Sequence, residues 1–67
     1  MITYERLWAR MEKDGVSQYK LRNNGISNST LYRLKHDQVI NTDTIDKICN
    51  ILGCNVEDIM EHRSDAD

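Results

Sequence analysis

Four side chains of this sequence, Ser29, Tyr32, Arg33 and His36, fall at i, i+3, i+4 and i+7, the spacing that puts polar groups on one face of a helix. All four side chains are capable of hydrogen bonding, and Arg33 adds a rigid cationic fork of N–H donors. With Asn28 and Lys35 on its flank, the set suits recognition of planar polar edges and anionic oxygens rather than bond making. A serine nucleophile needs a base within reach and a group that orients that base. Ser29 has only His36 on the same helix, two turns away, with no orienting acid in place. His36 and His62 stand outside any C-x-x-C or H-x-x-x-H spacing, so Cys49 and Cys54 are read as packed thiols, not metal ligands. No P-loop, H-E-x-x-H or Gly-rich phosphate motif occurs. The expectation is no enzyme, no metal, no cofactor and no small-molecule substrate.

The elements that must position these residues announce themselves at their starts. A Ser, Thr, Asn or Asp at the N-cap can satisfy an orphan N–H, and an apolar residue just before it can staple onto one in the first full turn. The chain does this four times: Val16-Ser17 with Leu21, Ile26-Ser27 with Leu31, Ile40-Asn41 with Ile45, and Cys54-Asn55 with Ile59. None of the four has Glu or Gln at the third helical position, so reciprocal capping boxes are not expected. Tyr4, Leu7, Trp8 and Met11 mark one face of an earlier helix. Gly15, Asn23-Asn24-Gly25 and Gly53 mark stops. The pattern predicts five helices over 3–14, 17–23, 27–36, 41–52 and 55–61, a polar-to-apolar loop at 36–40, and an acidic tail frayed from Glu61 onward. Leu31 and Leu34 mark the buried side of the third helix, which turns Ser29, Tyr32, Arg33 and His36 outward at about 100° per residue. Trp8 and the Ile45, Ile48, Leu52 stripe are read as core. The part of the fifth helix around Val56 and Met60 is a candidate dimer surface, with core filling the expected use of both.

Sixty-seven residues, 39% of them apolar, bound the chain to one small core with a thin margin of stability. No run approaches the ~20 apolar residues that cross a bilayer. That absence, an N-terminus without a leader pattern and two cysteines with no disulfide framework fit a cytoplasmic protein with no membrane partner. The net charge of −2 hides a polarity. Residues 1–16 balance, with Arg6, Arg10 and Lys13 against Glu5, Glu12 and Asp14. Residues 17–41 carry Lys20, Arg22, Arg33 and Lys35 against Asp37 alone, +3. Residues 42–67 carry Lys47 and Arg63 against seven acids, −5. A basic middle flanked by an acidic end favours a polyanion on one face only.

Two short helices joined by a Gly-containing turn, the second beginning "ISNSTLYRLK", meet the requirement for a helix-turn-helix. Through "SQYKL", "GIS-STL-RL" and "TIDKICNILGCNVEDIM", in that order over residues 3–61, the chain resembles the single-domain helix-turn-helix proteins of the Cro and phage-repressor type, the XRE family. The resemblance implies an all-α, compact five-helix lambda-repressor-like domain over residues 1–61, with 62–67 as an acidic C-terminal tail. It also implies a repressor-like transcription regulator that reads a double-stranded DNA operator. A major groove admits one helix, where Asn pairs with adenine and Arg with guanine. In the family, residues matching Asn28, Ser29 and Arg33 touch base edges, and Tyr32 shares their outward face. Gln18 matches a family glutamine that contacts phosphate and orients the recognition helix. Lys20 and Lys35 are expected on the backbone, and Ser27 and Thr30 near phosphate at the helix start. His36 is either a phosphate contact when protonated or a plain helix-end residue. One such helix reads few base pairs, so a homodimer on paired half-sites is expected. The alternative is a protein-interaction module of the same fold, antitoxin-like or an anti-repressor partner, which the net acidity favours. The chain departs from the family in three places: a turn one residue shorter between Leu21 and Gly25, Arg22 where a small residue is usual, and "DQVI" at 37–40 without Gly or Pro.

Overall fold

Three of the caps read from the sequence are made. In the computed structural model, which describes residues 1–64, helix α1 spans Glu5–Asp14, α2 Gln18–Asn23, α3 Asn28–Lys35 and α4 Thr42–Leu52. Ser17 Oγ accepts the Lys20 N–H at 3.4 Å, Ser27 Oγ the Thr30 N–H at 3.2 Å, and Asn41 Oδ1 the Thr44 N–H at 2.9 Å. Each satisfies one of the donors that a helix start leaves without a partner. The left-handed conformation that closes α4, φ +64°, falls on Gly53, where a Cβ would be strained.

The apolar partners of these caps lie in the core or against it. Leu7, Leu21, Leu34, Ile48 and Ile59 are fully buried, joined by Tyr4, Met11, Ile26, Leu31 and Ile45. Trp8, Ile51 and Leu52 pack against them from the edge. The stripes on α1, α3 and α4 therefore meet as the sequence implies. Val56 does not fill the core; it is 49% exposed, whereas Met60 is partly buried against the cluster.

Both ends of the chain depart from the expectation. The described residues hold four α-helices, not five: the fifth segment is one turn of 3-10 helix, Val56–Asp58. A single turn has too few backbone bonds to sustain a helix, and buried Ile59 draws the chain inward directly after it. Contrary to the expectation of no reciprocal capping, Asp58 takes the role usual for Glu or Gln, its carboxylate accepting the Asn55 N–H at 3.0 Å. The chain then runs extended. Glu61–His62 forms strand β2, antiparallel to β1 at Ile2–Thr3, with Ile2 opposite His62 and Thr3 opposite Glu61. The Arg63 N–H donates to the Met1 carbonyl at 2.8 Å and continues the ladder. Fraying therefore does not begin at Glu61, and α1 starts at Glu5 instead of residue 3 because Ile2 and Thr3 are engaged in the ribbon. Of the expected tail, residues 65–67 lie outside the described residues. No described helix is long and apolar enough to cross a membrane.

Candidate nucleic-acid interface

The turn between α2 and α3 is held from both sides. Asn24 Nδ2 donates to the Lys20 carbonyl at 2.8 Å and the Ile26 N–H to the Leu21 carbonyl at 3.0 Å. Gly25 takes φ +97°, a conformation in which an L side chain is strained. Ile26, 2% exposed, anchors the turn in the core, so the entry to α3 is rigid.

With Leu31 and Leu34 buried, Ser29, Tyr32, Arg33 and His36 all face outward, as do Asn28 and Lys35. At the start of α3 the Ser27 hydroxyl lies 3.1 Å from Ser29 Oγ and donates to Thr30 Oγ1 at 3.0 Å. These three hydroxyls form one group around the helix end, with Thr30 half-buried. At the other end, the Tyr32 and His36 rings stack with centroids 4.1 Å apart, and His36 Nδ1 lies 2.8 Å from the Tyr32 carbonyl oxygen. An i, i+4 spacing brings the two side chains together on one face, and the Tyr32 carbonyl also accepts the His36 backbone N–H at 3.1 Å. The outward face thus has three parts: a hydroxyl group, the Asn28 and Arg33 hydrogen-bonding groups, and an aromatic pair.

The arginines are partitioned between paired and unpaired. Arg6 bridges to Glu61 at 3.0 Å, Arg10 to Asp14 at 2.8 Å, and Arg63 to Glu5 and Glu61. Neither Arg22 nor Arg33 has a carboxylate partner among the described residues, and Lys20 and Lys35 make no ion pair there either. Asp37 is the sole acid of residues 17–41. Its carboxylate accepts the Tyr4 N–H at 3.0 Å. Ion pairs elsewhere on the surface take up Glu5, Asp14 and Glu61, while the cations of α2 and α3 are exposed to solvent. Cys49 and Cys54 lie apart from this face, at the end of α4; both are half-buried free thiols. Burial, then the neighbouring Cys54, raises the Cys49 pKa and so disfavours a reactive thiolate.

Gln18 is half-buried at the start of α2 and makes no hydrogen bond to α3; the link between the helices comes from Arg22, whose Nη1 donates to Asn28 Oδ1 at 3.4 Å. Lys47 is a second cation that the sequence did not bring to this region. Its Nζ lies 4.0 Å from the position a Cβ on Gly25 would occupy. Arg22 is legible in the sequence as an unusual residue at its position, whereas Lys47 stands in the acidic third of the chain and carries no local signal.

The chain is similar in fold to the crystal structure of the transcriptional regulator VanUg, form II, with a TM-score of 0.83, 24% identity, and coverage of 90% of this chain and 81% of that one. No curated protein sequence matches. The family model described as the Cro/C1-type HTH DNA-binding domain matches residues 6–65. With that match spanning nearly all of the sequence, the chain belongs to the Cro/C1-type helix-turn-helix DNA-binding family.

Proposed function

We propose that this protein is a sequence-specific, repressor-like transcription regulator of the bacterial cytoplasm that acts by occupying a DNA operator. The observation that carries the reading is the exposed, unpaired Arg33 in the middle of a polar α3 face, on a molecule whose Arg6, Arg10 and Arg63 are all neutralised. In this reading α3 enters the major groove, where Asn28, Ser29, Tyr32 and Arg33 meet base edges. Gln18, Lys20, Ser27, Thr30, Lys35 and His36 meet phosphates and set the register, contributing affinity but no sequence information. VanUg, a transcriptional regulator by name, supports the same class through its fold.

Selection of bound duplexes from a random DNA pool, followed by titration at several salt concentrations, tests the proposal. The expected result is one enriched motif and a steep negative slope of log K against log salt, since each neutralised phosphate releases counterions. No enrichment together with a flat slope would transfer the fold to the protein-interaction reading.

A further inference from the structure

Arg22 and Asn28 are six residues apart, on opposite sides of the helix-helix turn, and both are exposed. Their side chains meet, Arg22 Nη1 donating to Asn28 Oδ1. A guanidinium has only donors, so the Asn28 atom that faces it is the acceptor oxygen, and the amide nitrogen with its two N–H donors points elsewhere. An asparagine free to turn pairs with adenine by accepting from N6 and donating to N7, whereas guanine offers only acceptors, N7 and O6, on that edge. We propose that Arg22 is a positioning residue that holds Asn28 as a hydrogen-bond donor and thereby shifts its base preference from adenine to guanine.

The inference rests on Asn28 reading a base, and it explains why a long cation at position 22 is compatible with the reading helix. Arg22 has no carboxylate to hold it among the described residues, so the Asn28 oxygen is the acceptor that orders it next to the groove.

The experiment is pool selection with the full chain and three variants, Arg22→Ala, Asn28→Ala and the double substitution, each checked for unchanged circular dichroism. At the base pair whose preference Asn28→Ala abolishes, the parent protein is expected to favour guanine. Arg22→Ala is expected to move the guanine-to-adenine ratio toward adenine by about fivefold or more, the equivalent of one good hydrogen-bond pair. Arg22→Met, which keeps most of the aliphatic stem, is expected to do the same. The double variant should match Asn28→Ala alone at that position. An Arg22→Ala protein that binds all sequences more weakly with the ratio unchanged would make Arg22 a phosphate contact only and overturn the proposal. A parent preference for adenine there would overturn it as well. If Asn28→Ala changes no position, the assignment of Asn28 as a base reader fails, and the proposal falls with it.

Discussion

Arg33 and Lys35 are both exposed cations of α3, yet their chemistry assigns them different work. A planar fork can match two acceptors on one guanine, whereas an ammonium on a flexible stem acts as a point charge. Arg33→Ala is expected to weaken operator binding by ~1–3 kcal/mol and to relax preference at one base pair, with the circular dichroism spectrum intact. Lys35→Ala is expected to weaken binding to every sequence alike and to flatten the salt slope by about one unit. Titrations against an operator and its single-base variants distinguish the two. Unchanged operator affinity in a folded Arg33→Ala protein would remove Arg33 from the readers, and a changed base preference in Lys35→Ala would contradict its phosphate role.

Helix α3 is useful as a reader only if its far end is held, and the loop after it achieves this without glycine or proline. Asp37 takes φ +54°, a conformation that short polar side chains tolerate better than branched ones. Its carboxylate accepts the Tyr4 N–H, and the Tyr4 hydroxyl donates to the Gln38 carbonyl at 2.9 Å. Tyr4 therefore fastens the start of α1 to the end of α3. Tyr4→Phe is expected to destabilise the domain by about 0.5–1.5 kcal/mol, read as a lower urea midpoint at neutral pH. The same residue sets an alkaline limit. Burial, followed by the charge of Asp37, raises the phenol pKa above its ordinary 10.0. An acid whose folded-state pKa is raised contributes stability that is complete below the unfolded value and disappears as pH climbs through the folded one. The parent should therefore lose stability above about pH 10, and Tyr4→Phe should lose less. Equal alkaline losses in the two proteins would show that Tyr4 is not the group responsible.

For the molecule as a whole, the small core decides how much change it tolerates. Leu31 is 3% exposed, beneath the outward face of α3. A buried Leu→Ala change costs about 2–5 kcal/mol, comparable with the total stability of a small domain. Leu31→Ala is expected to be largely unfolded by circular dichroism, making its loss of DNA binding secondary; a native melting temperature would mean that the side chain contributes little to the core. The outward stripe from Ser29 to His36 spans about ten ångströms at 1.5 Å per residue, the length of a few base pairs. Discrimination of a few kcal/mol is too small against the ~10⁶ or more competing sites of a genome, and two coupled copies roughly double it. Footprinting with purified protein is therefore expected to show a homodimer on an inverted repeat, whereas saturation at one chain on a single asymmetric half-site would refute the dimeric form.

Local physics was sufficient for much of this protein. Ser17, Ser27 and Asn41 are helix caps because a side-chain oxygen beside its own helix start needs no distant partner, and the sequence shows both. The outward direction of Ser29, Tyr32, Arg33 and His36 followed from Leu31 and Leu34, since helical geometry fixes the opposite face once the buried one is known. What depended on residues far apart in the chain was not legible. The β1–β2 ribbon joins residues about sixty positions apart, so neither two-residue strand carries a pattern of its own. The last predicted helix instead became a 3-10 turn feeding that ribbon, because Ile59 packs into a core built by the other helices. The link from Arg22 to Asn28 spans only six residues, yet it depends on the angle at which α2 and α3 meet, which their spacing does not specify. Periodicity and capping act within one or two turns and are written in the sequence; pairing between distant segments and the aim of a long cation are settled only when the core brings the elements together.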